Sequence, residues 1–276
     1  MQDRYAGDIG DFGKFGLLKA LLAEGFSLGV NWYKAKPPES ERDKDTGTFL
    51  HEDGKHKINP KYFVCDEPLA GALREISESD VRSIARLEQA ALLNPGKTVY
   101  YHEVISVAGR YQWHNNALET LAPCEIVFLD PDNGLSVKSV GKGSAKSVKY
   151  VWDEELSDYL KRGQSVVLYN HRPRKKPETF FPEFKERLLG IEGVQNKPVS
   201  VLTCPKGTVR DYFLIAANAE HAIRISSALG KMVGGPWGKW GSAGLRSLKD
   251  NKIFRALELR SSSMRWRNIA RRIKWS

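Results

Sequence analysis

The sequence lacks the features that would place a protein in a membrane or outside the cell. No apolar run approaches the roughly 20 residues that a transmembrane helix needs, and 28% of the 276 residues are charged. The segment Met1–Arg4 carries charges of both signs and no apolar run follows it, so we expect no signal peptide. The three cysteines lie far apart, with no Cys-x-x-Cys pair that would indicate zinc. These absences favour the reducing cytosol.

Internal repeats are absent as well, and the chain is long enough for one large hydrophobic core or two modest ones. Short β-branched runs alternate with longer amphipathic runs, which predicts an α/β fold with a mainly parallel sheet and helices on both faces. The predicted strands are Leu28–Lys34, Tyr62–Cys65, Thr98–His102, Glu125–Leu129, Ser165–Tyr169, Val199–Thr203 and Asp211–Ala216. The predicted helices are Phe12–Ala23, Leu69–Ile76, Asp80–Leu93, Tyr111–Leu121, Glu154–Lys161, Glu178–Leu189 and Glu220–Leu229.

Two segments interrupt this alternation. Residues 36–60 are polar and without periodicity, which predicts a long surface loop. Residues 233–244 are rich in glycine, which predicts a hinge. We therefore divide the chain into an α/β domain, residues 1–230, and a hinge with a basic C-terminal extension, residues 231–276. A cut after Gly230 is expected to leave the domain folded.

The net charge of +10 comes entirely from the extension. Residues 231–276 hold twelve Lys or Arg and two acidic residues, which leaves 31 of each sign in residues 1–230. Concentrated positive charge attracts nucleic acid, because each neutralised phosphate releases condensed counterions. The alternative is a solvated tail that only aids solubility. The arginines of the extension that we predict to bind nucleic acid are Arg265, Arg267, Arg271 and Arg272.

The first candidate motif lies near the amino terminus, where Gly7, Gly10, Gly13 and Gly16 recur every third residue. Asp11 is a suitable N-cap for the helix that is predicted to follow. Glycine destabilises a helix, so we expect a gain in return, such as close approach of the backbone to a ligand. The alternative is close packing of the helix against the sheet, with no ligand.

The second candidate motif is Glu125–Gly134, which reads Glu-Ile-Val-Phe-Leu-Asp-Pro-Asp-Asn-Gly. A buried strand here delivers Asp130 to its carboxyl end, and Pro131 ends the strand. Open parallel sheets bind ligands outside the carboxyl ends of their strands. Asp130 and Asn133 are therefore predicted to face a functional cleft. The alternative is a plain turn stabilised by the Asp and Asn side chains.

The third candidate motif follows the next predicted strand and is rich in basic residues, as Tyr169–Lys176 reads Tyr-Asn-His-Arg-Pro-Arg-Lys-Lys. Arg172, Arg174 and Lys175 are predicted to contact phosphate, whereas a lone His171 favours a structural role.

Aspartates supply the oxygen ligands that hard cations prefer. No dedicated ligand spacing accompanies them, so no metal is predicted. The four candidates are Asp8, Asp11, Asp130 and Asp132.

Taken in order, these motifs resemble the large-subunit ribosomal RNA adenine-N6 methyltransferase family that has a helical amino-terminal motif. The family motif His-Ala-Gly-Asn-x-Ala-Asp-x-x-Lys-His aligns with Tyr5–Phe15. The family's Asp-Pro-Pro-Tyr aligns with Asp130-Pro131-Asp132-Asn133. The resemblance runs through residues 4–217 in element order and does not cover the extension. The positions kept in the first motif are Ala6, Gly7, Asp11 and Lys14.

The resemblance implies a Rossmann-like class I methyltransferase fold, S-adenosylmethionine as cofactor and a nucleic-acid substrate, with RNA favoured over DNA. Asp130 and Asn133 would be the catalytic residues. Two departures stand against it: no Gly-x-Gly follows Val30–Tyr33, and Asn133 replaces the aromatic residue of Asp-Pro-Pro-Tyr. The residues that the resemblance assigns to the cofactor are Gly7, Asp8, Asp11, Lys14 and Asp66.

Two alternatives remain at this point. The first is a metal-dependent nuclease or phosphohydrolase on the same scaffold, with the four aspartates around Mg²⁺. The second is a catalytically inactive relative that only binds nucleic acid.

Overall fold

The computed structural model describes residues 1–36, 57–239 and 246–247. Most of the predicted loop at residues 36–60 lies outside the described residues, as do Arg265, Arg267, Arg271 and Arg272. Within the described ranges, no helix is both long enough and apolar enough to span a bilayer.

The described chain alternates strands and helices, as the sequence predicts. The helices are α1 (Ile9–Ala23), α2 (Glu67–Glu78), α3 (Ile84–Gln89), α4 (Arg110–Thr120), α5 (Asp153–Lys161), α6 (Pro177–Leu189) and α7 (Ala219–Gly234). The strands are β1 (Leu28–Asn31), β2 (Thr98–Tyr101), β3 (Ile126–Leu129), β4 (Gly134–Leu135), β5 (Tyr150–Val151), β6 (Ser165–His171), β7 (Val199–Cys204), β8 (Arg210–Ile215) and β9 (Arg246–Ser247). Short 3-10 helices form at Asp3–Tyr5, Pro60–Cys65, Ala145–Lys149 and Pro236–Lys239.

The main sheet is mixed and mostly parallel, with strand order β2-β1-β3-β6-β8-β7-β9. Strands β2, β1, β3 and β6 are parallel, while β8 runs antiparallel between β6 and β7. Strands β4 and β5 form a separate two-stranded parallel sheet. The prediction of an α/β fold with a mainly parallel sheet is therefore confirmed.

Helices cover both faces of the sheet, and strand β3 shows why. Ile126 and Phe128 pack into one hydrophobic core with α1, α2, α3 and α7. Val127 and Leu129 pack into a second core with α4, α5 and α6. A strand whose side chains are buried on both faces needs an uninterrupted apolar sequence, and the Ile-Val-Phe-Leu run supplies it.

The predicted strand Tyr62–Cys65 is wrong, because this segment forms a 3-10 helix. The side chain of Asn59 accepts a hydrogen bond from the Lys61 backbone and Pro60 occupies the first turn, so the local sequence starts a helix. Of the four apolar residues, only Cys65 is buried, and Val64 is 61% exposed.

The predicted domain boundary also needs correction, because Gly230 lies inside α7. Beyond the end of α7, Trp237 packs against Phe12 of α1, with ring centroids 4.7 Å apart. Gly16 makes this contact possible, since a Cβ atom at that position would lie 2.4 Å from the Trp237 ring. The start of the predicted hinge is thus part of the folded domain.

Cutting the chain after Gly230 should therefore lower the free energy of unfolding, by about 3–5 kcal/mol, the usual cost of losing a large aromatic side chain from a core. A cut after Lys239 keeps α7 and Trp237 and serves as the matched control, since both cuts remove β9. Urea unfolding followed by circular dichroism measures the difference. Equal midpoints for the two truncated proteins would show that Trp237 adds no stability.

Candidate functional site

A cavity of about 330 Å³ opens over the carboxyl ends of β3 and β6. It lies beside the point where the strand order reverses, since β1 pairs with β2 on one side and with β3 on the other. Crevices at such points are the usual ligand sites of open α/β sheets. The cavity is lined by Met1, Gln2, Tyr5, Asp8, Gly10, Asp11, Lys14, Asp130, Pro131, Asp132, Asn133, Lys149, Tyr169, His171, Thr208 and Arg210.

The base of the cavity is a buried ion-pair triad of Lys14, Asp11 and Asp130. Lys14 is 3% exposed, and its Nζ donates to Asp11 Oδ1 and to Asp130 Oδ2, both at 2.7 Å. Asp11 and Lys14 face each other because they stand three residues apart on α1. Burial opposes the charge on Lys14, but the two carboxylates outweigh it and hold the lysine pKa above its ordinary value.

Asp130 keeps one oxygen available to a ligand. Burial raises the pKa of Asp130, and Lys14 partly opposes this shift. Lys14 bonds to Oδ2, whereas Oδ1 has no hydrogen bond from the described residues and is not among the fully buried atoms without a partner. Oδ1 is therefore the carboxylate oxygen that no described residue holds, on a side chain that lines the cavity.

The side chains of Asp8 and Asp11 accept hydrogen bonds from backbone amides at the start of α1. These bonds correct two predictions. Asp8, not Asp11, is the N-cap, since its Oδ1 accepts from the Asp11 backbone at 2.9 Å. Asp11 instead accepts from the Gly7 backbone through Oδ2 at 2.8 Å. The Gly7 backbone is therefore unavailable to a cofactor, and Gly7 does not line the cavity.

The glycines of this motif serve packing rather than close approach to a ligand. Gly7 has φ +84°, and a Cβ there would lie 2.6 Å from the Leu73 carbonyl of α2. A Cβ at Gly10 would lie 2.7 Å from the guanidinium of Arg210. The packing alternative therefore explains Gly7 and Gly10, as it explains Gly16.

Arg210 is a cavity residue that sequence reasoning missed. Its guanidinium is buried, donates to the carbonyls of Lys206 and Thr208, and lies 3.4 Å from Asp8 Oδ2. Burial opposes the charge on Arg210, but Asp8 together with Tyr169 and Tyr212 outweighs burial and raises the arginine pKa. Burial together with Asp11 raises the pKa of Asp8 above its ordinary value.

Met1 and Gln2 form another wall that the sequence did not predict. The Met1 amino group donates to the carbonyls of Trp32, Tyr33 and Asp130 at 2.8–3.1 Å. Burial alone would raise the pKa of Asp132, but the Met1 amino group and the Gln2 amide together lower it. Met1 and Gln2 therefore occupy the space beyond the end of β1, and the space left for a ligand lies over β3 and β6.

Asn133 and Tyr169 line the cavity, as the sequence predicts, and they lie on the side of the cavity that is next to β6. The Asn133 backbone bonds to the carbonyl of Lys149 and to the amide of His171, and its side chain has no hydrogen bond from the described residues. The Tyr169 side chain is buried, which raises its pKa to about 12. Asn133 thus offers a ligand an amide that no described residue engages, whereas the Tyr169 hydroxyl is neutral and forms a hydrogen bond with Arg210.

The position of Arg172 argues against the predicted phosphate contact, because its side chain is mostly buried and is held by other residues of the protein. It forms a two-point ion pair with the fully buried Asp211, donates to Thr203 Oγ1 at 3.0 Å, and lies 4.7 Å from the centroid of the Phe181 ring. The basic residues that follow it, Arg174 and Lys175, are exposed, and Lys175 pairs with Glu183 at 2.6 Å.

Asp66 does not lie at the cavity. It is the N-cap of α2, where its side chain accepts from the Leu69 backbone at 3.1 Å and pairs with Lys19. The prediction required a strand that ends at Cys65, and this segment is a 3-10 helix that does not join the sheet.

The carboxylates of the cavity are already held by cations and other donors. Asp11 and Asp130 share Lys14, Asp132 pairs with the Met1 amino group, and Asp8 faces Arg210. Among the residues that the structure describes, no group of three or more His, Cys, Asp or Glu side chains is arranged to hold a metal ion.

In comparisons with known proteins, no family model, no curated protein and no solved structure matches the chain. The resemblance of its motifs to the adenine-N6 methyltransferases therefore stays a prediction. What the structure adds is that residues of all three motifs line one cavity.

Proposed function

We propose that the protein is an S-adenosylmethionine-dependent methyltransferase that acts on an amino group of a base in a nucleic acid, with RNA favoured over DNA. One observation carries the proposal: residues from three segments far apart in sequence, 5–14, 130–133 and 169–171, line one cavity beside the reversal of strand order. The parallel order β2-β1-β3-β6 with this reversal supports the finer proposal of a Rossmann-like class I methyltransferase sheet.

The cavity suits the cofactor in size and in charge. Its volume of about 330 Å³ lies within the usual range for small-molecule pockets. S-Adenosylmethionine carries a carboxylate, an ammonium and a sulfonium, so its site needs groups of both signs. Arg210 and Lys149 would attract the carboxylate, and Asp8 and Asp130 would attract the cationic groups. When bound, the cofactor supplies an electrophilic methyl group.

Asp130 would orient the target amine. Its free Oδ1 can accept a hydrogen bond from an exocyclic amino group, and the Asn133 amide lies beside it to bind the same base. Lys14 fixes the Asp130 carboxylate through Oδ2, so the orientation is set before substrate binds. No strong base is needed, since positioning of the reacting groups supplies most of the acceleration.

The metal-dependent nuclease is the weaker candidate. A divalent cation at Asp8, Asp11, Asp130 and Asp132 would have to displace Lys14, Arg210 and the Met1 amino group from their carboxylates. An inactive nucleic-acid-binding relative would not need the open Oδ1 of Asp130.

Titration calorimetry with S-adenosylmethionine, then S-adenosylhomocysteine, then Mg²⁺ tests the proposal. We expect micromolar affinity for the first two, about −8 kcal/mol. At a hundredfold excess over Kd this stabilises the folded state by about 2.7 kcal/mol, which raises Tm by roughly 5–10 °C. ATP, which shares the adenosine but lacks the methionine, is the control. Heat from Mg²⁺ alone would favour the nuclease, and no response to any of the three would favour the inactive relative.

A further inference from the structure

A second cavity of about 580 Å³ adjoins the first and shares Asn133 and His171 with it. Apolar atoms make up most of its exposed lining, to which Tyr150, Phe180 and Phe184 contribute, and eight of the fourteen lining residues are polar or charged. Phe184 stacks on Phe213 of β8 with ring centroids 4.2 Å apart, so the apolar floor is fixed by the sheet. The cavity is therefore a preformed pocket with an aromatic floor, and it meets the cavity that Asp130 lines at Asn133 and His171.

A lysine-rich loop, residues 136–149, forms one bank of this pocket. Between β4 and β5 the loop carries Lys138, Lys142, Lys146 and Lys149 and no acidic residue. Among the described residues, only Lys142 of these four has an ion-pair partner, Glu154.

The lysine-rich loop is anchored at both ends. At the start, Gly134 has φ +119° and lies so close to Asn170 that an added Cβ would fall 2.1 Å from its Oδ1. At the end, Arg110 donates to the carbonyls of Ser147 at 2.8 Å and Tyr150 at 2.6 Å. Both ends of the loop are therefore held in place, and its first residues, Ser136, Val137 and Lys138, line the pocket.

The opposite bank is also basic, since Arg174, Lys175 and Lys176 follow β6 and are exposed. Lys175 lines the pocket but pairs with Glu183, so Arg174 and Lys176 are the cations on this bank that have no ion-pair partner among the described residues. An apolar pocket between two basic banks matches one nucleotide unit, in which a flat base lies between two charged phosphates.

We propose that the second cavity binds one unpaired base of a single-stranded nucleic acid, with the flanking phosphates on Lys138 and Lys146 on one side and on Arg174 and Lys176 on the other. This inference rests on the proposed function and deepens it in two respects. It assigns a single-stranded substrate, and it assigns the lysine-rich loop as the place where that strand enters. A stacked base in a duplex cannot enter the pocket, whereas an unstacked base can pack on aromatic side chains.

The charge test uses the full chain and a fluorescent mixed-sequence 12-nucleotide RNA, followed by anisotropy. Lys138→Ala/Lys146→Ala should weaken binding about 25-fold at 0.1 M salt, since each lost phosphate contact to a single strand costs about fivefold there. The control is Lys97→Ala/Lys231→Ala, which removes two exposed lysines near the amino ends of the strands and should weaken binding less than threefold. Equal losses in the two double variants would overturn the proposal.

The pocket test places a carboxylate at the mouth of the second cavity. Val137 is 44% exposed and lines the pocket, so Val137→Glu should preserve the fold and weaken single-strand binding about tenfold by repelling phosphate and base. Val81→Glu, at a valine that is 61% exposed and outside the pocket, is the control. Two results would overturn the proposal: a 12-base-pair duplex bound as tightly as the single strand, or displacement of the RNA by polyglutamate at equal charge concentration.

The cofactor measurement keeps the two proposals separable. Both variants should bind S-adenosylmethionine like the wild type, because Val137, Lys138 and Lys146 do not line the first cavity. If the cofactor fails to bind while the lysine and valine variants still lose RNA, the pocket stands and the methyltransferase proposal falls. If the cofactor binds and the variants still bind RNA like the wild type, the methyltransferase proposal stands and the pocket proposal is overturned.

Discussion

Lys14→Met should lower the free energy of unfolding by about 3–5 kcal/mol, because it leaves two buried carboxylates without their cation. Methionine has nearly the length of lysine, so the change removes the charge with little loss of packing. Asp11 and Asp130 are 1% and 2% exposed, and neither can gain a water shell in place of the ammonium without opening the site. Urea unfolding at pH 7 measures the loss.

The loss in Lys14→Met should shrink as the pH falls. Asp130 already has a raised pKa from burial, and removing Lys14 removes the charge that opposes that rise. A carboxyl group with a raised pKa in the folded state binds a proton on folding when the pH lies between its folded and unfolded pKa values. The variant therefore gains stability as the pH falls from 8 toward the unfolded value near 4, and its deficit is largest at pH 8.

Lys19→Met on the same helix is the matched control. Lys19 pairs with Asp66 at the surface, with 41% of its side chain exposed, and an exposed ion pair contributes at most about 1 kcal/mol. Equal losses for the two variants, or a deficit for Lys14→Met that does not change between pH 5 and pH 8, would contradict the triad as the source of stability.

The parts of the site that the sequence predicted are those encoded locally. Four apolar residues before Asp130 and Pro131 specify a buried strand that ends in a carboxylate, and the structure has this arrangement. The first helix was predicted for the same reason. Its N-cap was misplaced by one turn, because Asp8 and Asp11 are equally good capping residues by type and only the backbone around Gly7 selects between them.

The parts that the sequence did not predict depend on contacts between distant residues. Arg210 reaches Asp8 across 202 positions, and the Met1 amino group reaches Asp130 across 129. A contact between residues so far apart leaves no periodic pattern in the sequence. For Arg210, the only local sign is a charged residue at the start of an apolar strand, where burial requires a counter-charge.

Local sequence also left two alternatives open where one residue type serves two purposes. The glycines of α1 could lie against a ligand or against another part of the protein, because glycine allows close approach of any group. At Gly10 and Gly16 the approaching groups are the side chains of Arg210 and Trp237. Both partners lie beyond residue 200, so only the fold distinguishes a packing glycine from a binding glycine.

Asp130 also carries more of the fold than its place at a strand end suggested. A polar residue at the carboxyl end of a strand contributes little to a hydrophobic core, which by itself predicts that Asp130→Ala leaves the fold intact. In the structure that change leaves buried Lys14 with Asp11 as its single carboxylate partner, so it costs stability as well as activity. Asp130→Asn is the sharper variant, because the amide keeps the shape and one oxygen to accept from Lys14.

Asp130→Asn should reduce methyl transfer to single-stranded RNA by about 10²–10³-fold, the usual effect of removing one preorganised electrostatic contact to the reacting group. Transfer of labelled methyl groups from S-adenosylmethionine measures the rate. The affinity for the cofactor should change by less than about tenfold, or about 1.4 kcal/mol, because the aspartate is assigned mainly to the target amine.

Asp66→Asn is the control. Asparagine caps a helix as well as aspartate does, and Asp66 lies outside the cavity, so turnover should stay at the wild-type rate. Wild-type turnover in Asp130→Asn would remove Asp130 from the active site. Loss of turnover in Asp66→Asn would restore Asp66 to the cofactor site, as the resemblance implies.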